Sequence, residues 1–370
     1  MSRRLTVVQL LPQLDVGGVE RGTIQIAQAL IAAGHRAIVI SAGGRLVPEL
    51  LACGAEHLRL GIGEKRLNSL RHIGALRDYL RANQVDVVHA RSRLPAWLGH
   101  FALRELHAQD RPAWVTTVHG PYSVNAYSRI MVSGERVIAI SEFIRGYITS
   151  NYPDVDNTRI VAIPRGVDRT EYSYDFAPSA PWLAAWQADH AALAGRALLI
   201  LAARLTRWKG QLDFIEVIAA LRKRGLAVHG LIAGAAHPRK QGFENELRGR
   251  VAALGLVDDV SFLGQRSDLR ELLSISTIAC SLTGEPEAFG RTTIEALSVG
   301  TPVVGYDYGG TGEILRGLYP QGLVQRGDIH GATDRIARLL AAPQPVPRQH
   351  PYTVEALQQA TLAVYSVVAR

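Results

Sequence analysis

Residues 284–300 read GEPEAFGRTTIEALSVG, a turn of small residues that runs into a helical pattern at about Arg291. The first N–H groups of a helix have no intrahelical partner and lie at the positive end of its dipole, so this turn predicts a seat for phosphate. Two glutamates, Glu287 and Glu295, flank the seat. Carboxylates only accept hydrogen bonds and therefore suit the hydroxyl groups of sugars on either side of a diphosphate. Eight helical residues span about 12 Å, roughly the separation of the two sugar rings in a nucleotide-sugar.

Taken alone, the two glutamates equally fit an ordinary turn and a solvated helix, so the surrounding chain must decide. Short apolar runs alternate with amphipathic helical segments on both sides of the stretch. The second half has predicted strands at Ala197–Ala203, Val228–Ala233, Val260–Leu263, Thr277–Leu282 and Pro302–Tyr306, with helices at Lys209–Arg224, Gly242–Leu254, Leu269–Ile275 and Arg291–Ser298. The first half has predicted strands at Leu5–Leu11, Arg36–Ser41, His57–Leu60, Val85–Ala90, Trp114–Val118, Val137–Ile140 and Ile160–Ile163, with helices at Val19–Ala33, Leu46–Cys53, Leu67–Asn83 and Pro95–Leu106. This alternation predicts an α/β fold of two tandem, Rossmann-like, doubly wound domains, which bind ligands at the carboxyl ends of their strands.

The boundary between the two domains is predicted near a segment rich in proline and aromatic residues, EYSYDFAPSAPW, which begins at Glu171. Residues 1–168 would form the first domain, and residues 169–351 the linker and the second domain. A last amphipathic helix, Val354–Val368, follows the proline-rich segment Pro343–Pro351. We expect this C-terminal part, residues 352–370, to pack back on the first domain.

Length and composition agree with two soluble domains. The chain has 370 residues, of which 47% are hydrophobic and 20% charged. It contains no run of 18 apolar residues, the length needed to span a bilayer. Cys53 and Cys280 are the only cysteines, which excludes a disulfide framework and favours a reducing compartment. The apolar run Leu5–Leu11 precedes Asp15 without a small-residue cleavage site, so it predicts a first strand rather than a secretory signal. We therefore expect a cytoplasmic protein.

The net charge of +8 is unevenly distributed. Residues 1–168 contain 20 Lys and Arg against 14 Asp and Glu, whereas residues 169–370 contain 21 against 19. A basic first half suits an anionic partner such as a lipid surface, a phosphorylated glycan or a nucleic acid. A basic surface that only aids solubility fits the same numbers.

The second domain opens with RLTRWKG, residues 204–210. Arg204 is predicted to end a strand and Lys209 to begin a helix, so both cations could reach into one crevice. A guanidinium fork and a point charge together suit a diphosphate and would stabilise charge that develops on it as a leaving group. Arg207 competes for this role, and a solvated basic turn is the alternative.

In the first domain, two motifs lie where strands end. Gly17 and Gly18 stand at a strand-to-helix turn, where glycine permits close approach of a ligand to the backbone. His119 begins HGPYS at the end of another predicted strand, and its imidazole could donate to a sugar hydroxyl or to developing charge. His89 and Arg91, at the end of the preceding strand, are secondary candidates. A structural hydrogen-bonding role is the alternative for each histidine.

Several other site classes are disfavoured. The first βα turn lacks the G-x-G-x-x-G spacing, and the second strand is not followed by an acidic residue, which argues against a dinucleotide. Asp154 and Asp156 resemble the acidic pair that holds a metal in another class of sugar transferase, but they lie in a turn without neighbouring ligands. Zinc-type spacings of His and Cys and the G-x-x-x-x-G-K-[ST] motif are both missing from the sequence, so we expect no metal.

Taken together, these motifs resemble glycosyltransferase family 4, whose members are retaining enzymes of GT-B architecture with a cleft between two Rossmann-like domains. The resemblance covers nearly the whole chain, and its most specific part is the E-x7-E spacing of Glu287 and Glu295. The motifs that carry it are GGVER at Gly17, HGPYS at His119, AISEFI at Ala139, IPRGVD at Ile163, RLTRWKG at Arg204, FLG at Phe262, EAFGRTTIEAL at Glu287 and GG at Gly309. HARSR at His89 and TTVHGPYS at Thr116 look most like the subset that builds bacterial lipopolysaccharide core or related surface glycans.

The resemblance implies a role for each site residue. Glu295 would hold the nucleotide ribose and Glu287 the donor sugar, while Arg204 and Lys209 would hold the diphosphate. The predicted catalytic residues are His119, Arg204, Lys209 and Glu287. The predicted donor-binding residues are Gly17, Gly18, Ala288, Phe289, Gly290, Thr292 and Glu295.

Two positions depart from the family pattern. Arg291 stands where the family more often has an aliphatic residue, and we expect it to add a phosphate contact or to cap the turn. Ala288 stands where glycine is frequent, and its methyl group could narrow the sugar pocket.

The resemblance further implies front-face substitution, because no carboxylate occupies a first-domain motif where a nucleophile would be expected. The departing diphosphate would help to deprotonate the acceptor, without metal or other cofactor, and the donor is expected to be a UDP-sugar. The expected acceptor is a glycan or glycolipid, with peripheral contact to an anionic membrane and no nucleic acid partner. Two alternatives stay open: a GT-B epimerase that rearranges a nucleotide-sugar, and a non-catalytic binder of anionic polymers, which does not explain the paired glutamates.

Overall fold

The computed structural model describes residues 3–15, 17–63, 71–236 and 242–369. The chain forms two compact units, one of Met1–Gly166 with Val354–Arg370 and one of Val167–Thr353. The predicted boundaries lay at 168/169 and 351/352. Part of the predicted helix Leu67–Asn83 lies outside the described residues.

The first unit is built on a sheet of seven parallel strands in the order β3-β2-β1-β4-β5-β6-β7. Its strands are β1 (Thr6–Leu10), β2 (Arg36–Ser41), β3 (Glu56–Arg59), β4 (Val87–Ala90), β5 (Ala113–Val118), β6 (Arg136–Ala139) and β7 (Ile160–Ala162). Its helices up to that point are α1 (Gly18–Ala32), α2 (Val47–Ala52), α3 (Arg71–Ala82), α4 (Arg93–Arg104), α5 (Ala126–Arg129) and α6 (Glu142–Asn151). The central strands are mostly apolar because helices cover both faces of a parallel sheet, and every residue of β4 and β5 is buried, including the polar His89, Thr116 and Thr117.

The second unit is built on six parallel strands in the order β10-β9-β8-β11-β12-β13. Its strands are β8 (Ala197–Ala202), β9 (Val228–Ala233), β10 (Val260–Gly264), β11 (Ile278–Ser281), β12 (Val303–Tyr306) and β13 (Leu323–Val324). Its helices are α7 (Ala180–Asp189), α8 (Gln211–Lys223), α9 (Gly242–Ala253), α10 (Leu269–Ile275), α11 (Arg291–Ser298), α12 (Gly309–Leu318) and α13 (Ile329–Ala341). The two sheets confirm the predicted fold class of tandem Rossmann-like domains.

The last helix, α14 (Val354–Val368), belongs to the first unit, where it packs against α1. Leu357, Val364, Tyr365 and Val368 on this helix join the core that β1 and β2 form with α1. The Tyr365 hydroxyl lies 2.6 Å from His89 Nδ1 and so ties the helix to the end of β4. Among the described residues, no helix combines the length and apolarity that crossing a membrane requires.

Strand order reverses once in each sheet, between β1 and β4 in the first and between β8 and β11 in the second. At such a point the loops leave the sheet in opposite directions and open a crevice at the carboxyl ends of the two strands, where doubly wound domains bind ligands. Each unit therefore has one position at which a site is expected.

Candidate functional site

A cavity of about 110 Å³ lies at the point of reversal in the second unit. Ala202 and Ala203 line it at the end of β8, and Ser281 and Thr283 line it at the end of β11. Lys209, Glu287, Gly290, Arg291 and Thr292 complete its polar wall. The structure thus brings four of the predicted site residues, Lys209, Glu287, Gly290 and Thr292, around one cavity.

Two loops that follow β8 and β11 pack against each other and shape this cavity. Gly210 has a φ of +80°, and a Cβ atom at this position would overlap the carbonyl oxygen of Leu282. The Gly284 N–H donates to the Trp208 carbonyl oxygen at 2.7 Å. The sequence predicted that α8 begins at Lys209. In the structure Gly210 has a left-handed backbone conformation, Arg207–Lys209 form a 3₁₀ turn before it, and α8 begins at Gln211. Lys209 therefore lies on the turn and faces the cavity.

Lys209 and Glu287 form an ion pair in the cavity wall, through Lys209 Nζ and Glu287 Oε1. Both side chains are largely buried, and the Lys209 ammonium also lies 4.2 Å from the centre of the Trp208 ring. A diphosphate and its attached sugar would find a cation and a hydroxyl acceptor side by side here.

The two arginines of the RLTRWKG motif differ in position. Arg204 is exposed and makes no ion pair within the described part of the chain, and it lies outside the residues that line the cavity. Arg207 pairs instead with Glu246 on α9, at 2.8 Å, and its guanidinium lies 5.1 Å from the centre of the Phe243 ring. Because Arg207 is paired at the surface, it is a weaker candidate than Lys209 for holding a diphosphate.

The Glu287 turn is held by the start of α12. The Gly310 N–H donates to the Glu287 carbonyl oxygen at 2.7 Å, and a Cβ at Gly310 would overlap the backbone of Phe289. The Phe289 ring is buried against Tyr352, with ring centres 5.6 Å apart. The Phe289 side chain is therefore part of the core, and donor binding by Ala288 and Phe289 stays a prediction. Gly290, with a φ of +86°, precedes the first turn of α11.

Glu295 lies one turn further along α11, and its side chain is only 5% exposed. Arg291 Nε donates to Glu295 Oε1 at 2.6 Å, and the Arg291 side chain is 54% exposed. Burial raises the pKa of the Glu295 carboxyl, and Arg291 opposes this rise. We expected Arg291 to contact phosphate or to cap the turn, and its pairing with Glu295 is a third kind of contact. The i,i+4 spacing of the two residues in the predicted helix could have indicated this pair.

In the first unit, His119 directly follows β5, and Arg165 donates to it. The distance from Arg165 Nη2 to His119 Nδ1 is 2.8 Å, and the His119 N–H donates to the Tyr122 hydroxyl at 3.2 Å. His119 Nε2 is buried and has no hydrogen-bond partner within the described residues. Burial, then Arg165, Arg91 and His89, hold the pKa of His119 well below its ordinary value. Arg165 belongs to the IPRGVD motif, but no local pattern indicates its contact with His119, 46 residues away.

His89 and Arg91, the secondary candidates, are both buried at the end of β4. Both nitrogens of His89 are engaged, Nδ1 with Tyr365 and Nε2 with the Thr117 hydroxyl, each at 2.6 Å. Arg91 donates to Gln9 Oε1 at 2.9 Å, and burial lowers its pKa to about 10. His89 therefore has a structural role in joining β4 to α14.

The glycine pair lies before and at the first residue of α1. A Cβ at Gly17 would overlap the Glu20 carboxylate, whereas one at Gly18 would meet no atom of the described residues within 4 Å. The open space beside Gly18 is compatible with close approach of a ligand to its backbone.

The acidic pair at 154 and 156 has structural partners. Asp154 pairs with Arg129, and Asp156 accepts a hydrogen bond from the Thr158 N–H at 2.9 Å, where it caps a 3₁₀ turn. Within the described ranges, no group of three or more His, Cys, Asp or Glu side chains is arranged to hold a metal ion.

Two family models match the chain, one after the other. Residues 16–171 match Glycosyltransferase Family 4, and residues 184–353 match Glycosyl transferases group 1. The chain belongs to the family 4 glycosyltransferases. The E-x7-E pair, the Lys209 ion pair and the cavity at the reversal of the second sheet all lie in the part that the second model matches.

Curated relatives of this glycosyltransferase act on different substrates. Alpha-maltose-1-phosphate synthase of Mycobacterium tuberculosis is 29% identical over 77% of this chain and 75% of its own length. Phosphatidyl-myo-inositol mannosyltransferase of Mycobacterium leprae is 24% identical over 95% of this chain and 94% of its own. The lipopolysaccharide core biosynthesis mannosyltransferase LpsB of Rhizobium meliloti is 32% identical over 38% of each chain. The transferase is thus related to mannosyltransferases and to an enzyme of lipopolysaccharide core synthesis.

Solved structures agree with the fold of both units. A glycosyltransferase from Rickettsia africae has a TM-score of 0.87 at 26% identity and covers 99% of this chain and 98% of its own. HepE of Anabaena, solved in complex with UDP, has a TM-score of 0.83 at 21% identity and covers 98% of this chain and 100% of its own. These neighbours confirm the GT-B fold class.

Proposed function

We propose that this glycosyltransferase moves a sugar from a nucleotide-diphosphate sugar to a glycan acceptor with retention of anomeric configuration. The observation that carries the proposal is the contact of Lys209 with Glu287 in the cavity at the reversal of the second sheet. A cation for phosphate and a carboxylate for sugar hydroxyls are adjacent there, and the start of α11 adds free backbone donors.

Donor binding divides among the residues of the second unit. Lys209 holds the diphosphate from the cavity wall, and Arg204, which is exposed and directly follows the cavity-lining Ala203, adds a second cation from outside that wall. Glu287 holds the hydroxyls of the moving sugar, and Glu295 the ribose. Arg291 occupies one carboxylate oxygen of Glu295, which leaves the other to accept from the ribose. The donor is a UDP-sugar, a proposal that the UDP complex of HepE supports.

Transfer proceeds by front-face substitution without metal. The bond from the anomeric carbon to the phosphate oxygen breaks while the acceptor oxygen bonds to the same face of that carbon. The acceptor proton passes to the departing phosphate oxygen. Lys209 stabilises the charge that develops on the diphosphate, while the bound geometry keeps acceptor and donor aligned.

The acceptor is a glycan of lipopolysaccharide core or a related lipid-linked surface glycan, as the relationship to LpsB suggests. The first unit also has an aromatic cluster at its surface, formed by Trp97, His100 and Phe101 on α4 with Tyr127. Arg93 lies 5.4 Å from the centre of the Tyr127 ring. Aromatic rings beside arginines suit the interface of an anionic membrane. We therefore assign the enzyme to the inner face of the cytoplasmic membrane as a peripheral protein.

The direct test replaces Lys209 by alanine. Loss of one charge-stabilising group costs about 100-fold to 1,000-fold in kcat, so the variant should lose most of its turnover. The matched control is Lys223→Ala, because Lys223 is exposed at the end of α8 in the same unit. Near-normal transfer by the Lys209 variant would overturn the diphosphate assignment.

A second test identifies the donor. Thermal shift with UDP, GDP and ADP sugars should reveal one nucleotide series that stabilises the protein, because a ligand bound only by the folded state raises its stability. Glu295→Ala should weaken the binding of that nucleotide without a matching loss of kcat.

Product analysis then separates transfer from its alternatives. Proton NMR of the product should show the anomeric configuration of the donor, and excess chelator should leave the rate unchanged. Rearrangement of the nucleotide-sugar when the acceptor is omitted would instead indicate an epimerase. Salt-sensitive binding of polyphosphate without turnover would indicate a polymer binder.

A further inference from the structure

We propose that Arg165 is a positioning residue that holds His119 as the neutral tautomer protonated at Nε2, so that His119 acts on the sugar only as a hydrogen-bond donor. The inference rests on the proposed function and on the predicted role of His119 as a donor to a sugar hydroxyl. It goes beyond that function because it assigns a role to Arg165 and excludes His119 as a base.

The tautomer follows from the hydrogen-bond chemistry of the pair. A guanidinium has only donors, so the 2.8 Å contact from Arg165 Nη2 makes His119 Nδ1 the acceptor. A ring nitrogen that accepts carries no proton, and in neutral imidazole the proton then lies on Nε2. His119 Nε2–H is therefore a donor whose direction is fixed by the contact on the opposite side of the ring.

That donor has no partner within the described residues, although it is buried. A buried donor left without an acceptor has lost its hydrogen bond to water without a replacement, so such groups are rare unless a ligand or water satisfies them. A sugar oxygen would supply the acceptor. Among the residues that the structure describes, no atom lies within 4 Å of a hypothetical Cβ at Gly120, the next residue.

Burial and the nearby groups Arg165, Arg91 and His89 oppose a second proton on the His119 ring. Arg165 donates from the segment after β7, and Arg91 lies at the end of β4. His89 on β4 is engaged at both nitrogens, and Tyr122 contributes a hydroxyl that accepts from the His119 backbone. With two guanidiniums nearby, protonation would place a third positive charge in the same buried region.

The fold makes room for both guanidiniums at Gly22 on α1. A Cβ at Gly22 would overlap Arg165 Nη1 and would lie 3.1 Å from Arg91 Nη2. The small residue thus allows the arginines to lie against the helix. Gly22→Ala should displace Arg165 without removing its charge.

The decisive measurement is the NMR signature of the His119 ring, which requires no sugar substrate. In the wild-type protein, ¹³C and ¹⁵N shifts should report Nε2–H, and the ring should not titrate between pH 5 and pH 8. Arg165→Met, which keeps length and removes the donor, should yield a mixture of tautomers or a titrating ring. Arg165→Lys keeps a donor and a charge and should restore the wild-type spectrum. A wild-type ring protonated at Nδ1, or an Arg165→Met spectrum identical to wild type, would overturn the inference.

Turnover provides the second readout. Loss of one hydrogen bond of about 1.4 kcal/mol corresponds to tenfold in rate, so Arg165→Met should lower kcat about tenfold and should make it fall with falling pH. His119→Gln, whose amide can donate, should retain more kcat than His119→Leu. Equal kcat in these two variants would overturn the donor role of His119. The Lys209 test of sugar transfer is read separately, so failure of one does not imply failure of the other.

Discussion

At the scale of single residues, the chain places charged side chains in positions that require a partner. The Glu295 carboxylate is almost fully buried, and its one ion-pair partner within the described residues is Arg291. Burial, and then the Glu295 charge, raise the pKa of the Tyr172 hydroxyl. Removing one member of a buried pair leaves the other charge uncompensated, which costs more than the pair itself contributes.

Arg291→Leu should therefore destabilise the protein, by about 3 kcal/mol, the lower end of the range for a buried pair because Arg291 is half exposed. The raised pKa of Glu295 means that the folded state keeps its proton to higher pH than the unfolded state does. The contribution of Glu295 to stability is therefore fully present below its ordinary pKa of 4.5 and is lost as pH rises through the folded pKa. The deficit of Arg291→Leu should be larger at pH 8 than at pH 5 in urea unfolding.

The double variant Arg291→Leu with Glu295→Gln serves as the control, because it removes the buried charge together with its partner. It should recover most of the lost stability at pH 8. A double variant as unstable as Arg291→Leu alone would show that packing, and not charge, sets the effect.

Residue identities near the site were predictable where a local pattern encodes them. The spacing of Glu287 and Glu295, the Lys209 position and the histidine after β5 all follow from motifs within one βα unit. The Lys209–Glu287 pair joins residues 78 apart and the Arg165–His119 pair residues 46 apart, so no local pattern contains either contact. Arg204 shows the opposite limit: its motif is clear, but its side chain is exposed outside the cavity wall.

At the scale of elements, the donor cavity depends on the contact between the loops after β8 and β11. Gly210 and Gly225 both have a φ of +80°, but only at Gly210 would a Cβ overlap a neighbour, the Leu282 carbonyl. Alanine in a left-handed conformation costs about 1–2 kcal/mol at either position. Gly210→Ala should cost more than Gly225→Ala and should also weaken nucleotide binding, as measured by urea unfolding and calorimetry. Equal effects of the two substitutions would mean that the loops separate without consequence.

Element prediction succeeded for strands with buried apolar runs and was less complete for the helices, because α5, α6, α12 and α13 were not predicted. The strands Arg36–Ser41 and Val228–Ala233 and the helix Val354–Val368 have the predicted bounds. The two-residue strand β13 offers too short a pattern, and α6 was missed although Ser141 accepts a hydrogen bond from the Ile144 N–H as its N-cap. The start of α8 was predicted two residues too early, because apolar spacing does not reveal the left-handed conformation of Gly210 that precedes the helix.

The helix α14 is tied to the first unit by apolar packing, by the buried Tyr365–His89 contact, and by Gln358 Nε2, which donates to the Gln25 carbonyl oxygen at 2.8 Å. Tyr365→Phe removes the hydroxyl and leaves His89 Nδ1 without that partner, which should cost about 1–3 kcal/mol. Val367→Ala is the matched control on the same helix, since Val367 is 69% exposed, and should change stability by less than about 0.5 kcal/mol. Hydrogen exchange should show faster opening of β4 in the Tyr365 variant alone. Equal protection of β4 in both variants would contradict the structural role of His89.

At the scale of the whole molecule, the excess positive charge and the exposed aromatic cluster lie in the same half of the chain. The excess of Lys and Arg lies in residues 1–168, the same half that carries the aromatic cluster of Trp97, His100, Phe101 and Tyr127. Electrostatic attraction acts over about 8 Å at physiological salt, whereas insertion of aromatic rings requires contact. A membrane partner would therefore respond to both salt and cluster substitution, but a merely solubilising basic surface would respond to neither.

The full chain should bind vesicles that contain anionic lipid and should bind neutral vesicles weakly, with release at about 1 M salt, where the Debye length falls to about 3 Å. Phe101→Ser should weaken this binding at least tenfold, because burial of a Phe side chain contributes about 1.5–3 kcal/mol. Leu51→Ser is the control: Leu51 is 52% exposed on α2 of the same unit and is not part of the aromatic cluster. Flotation or sedimentation of vesicles measures both variants. Equal loss in the two would indicate a general effect of surface apolarity, and retention by neutral vesicles at high salt would contradict the electrostatic part of the proposal.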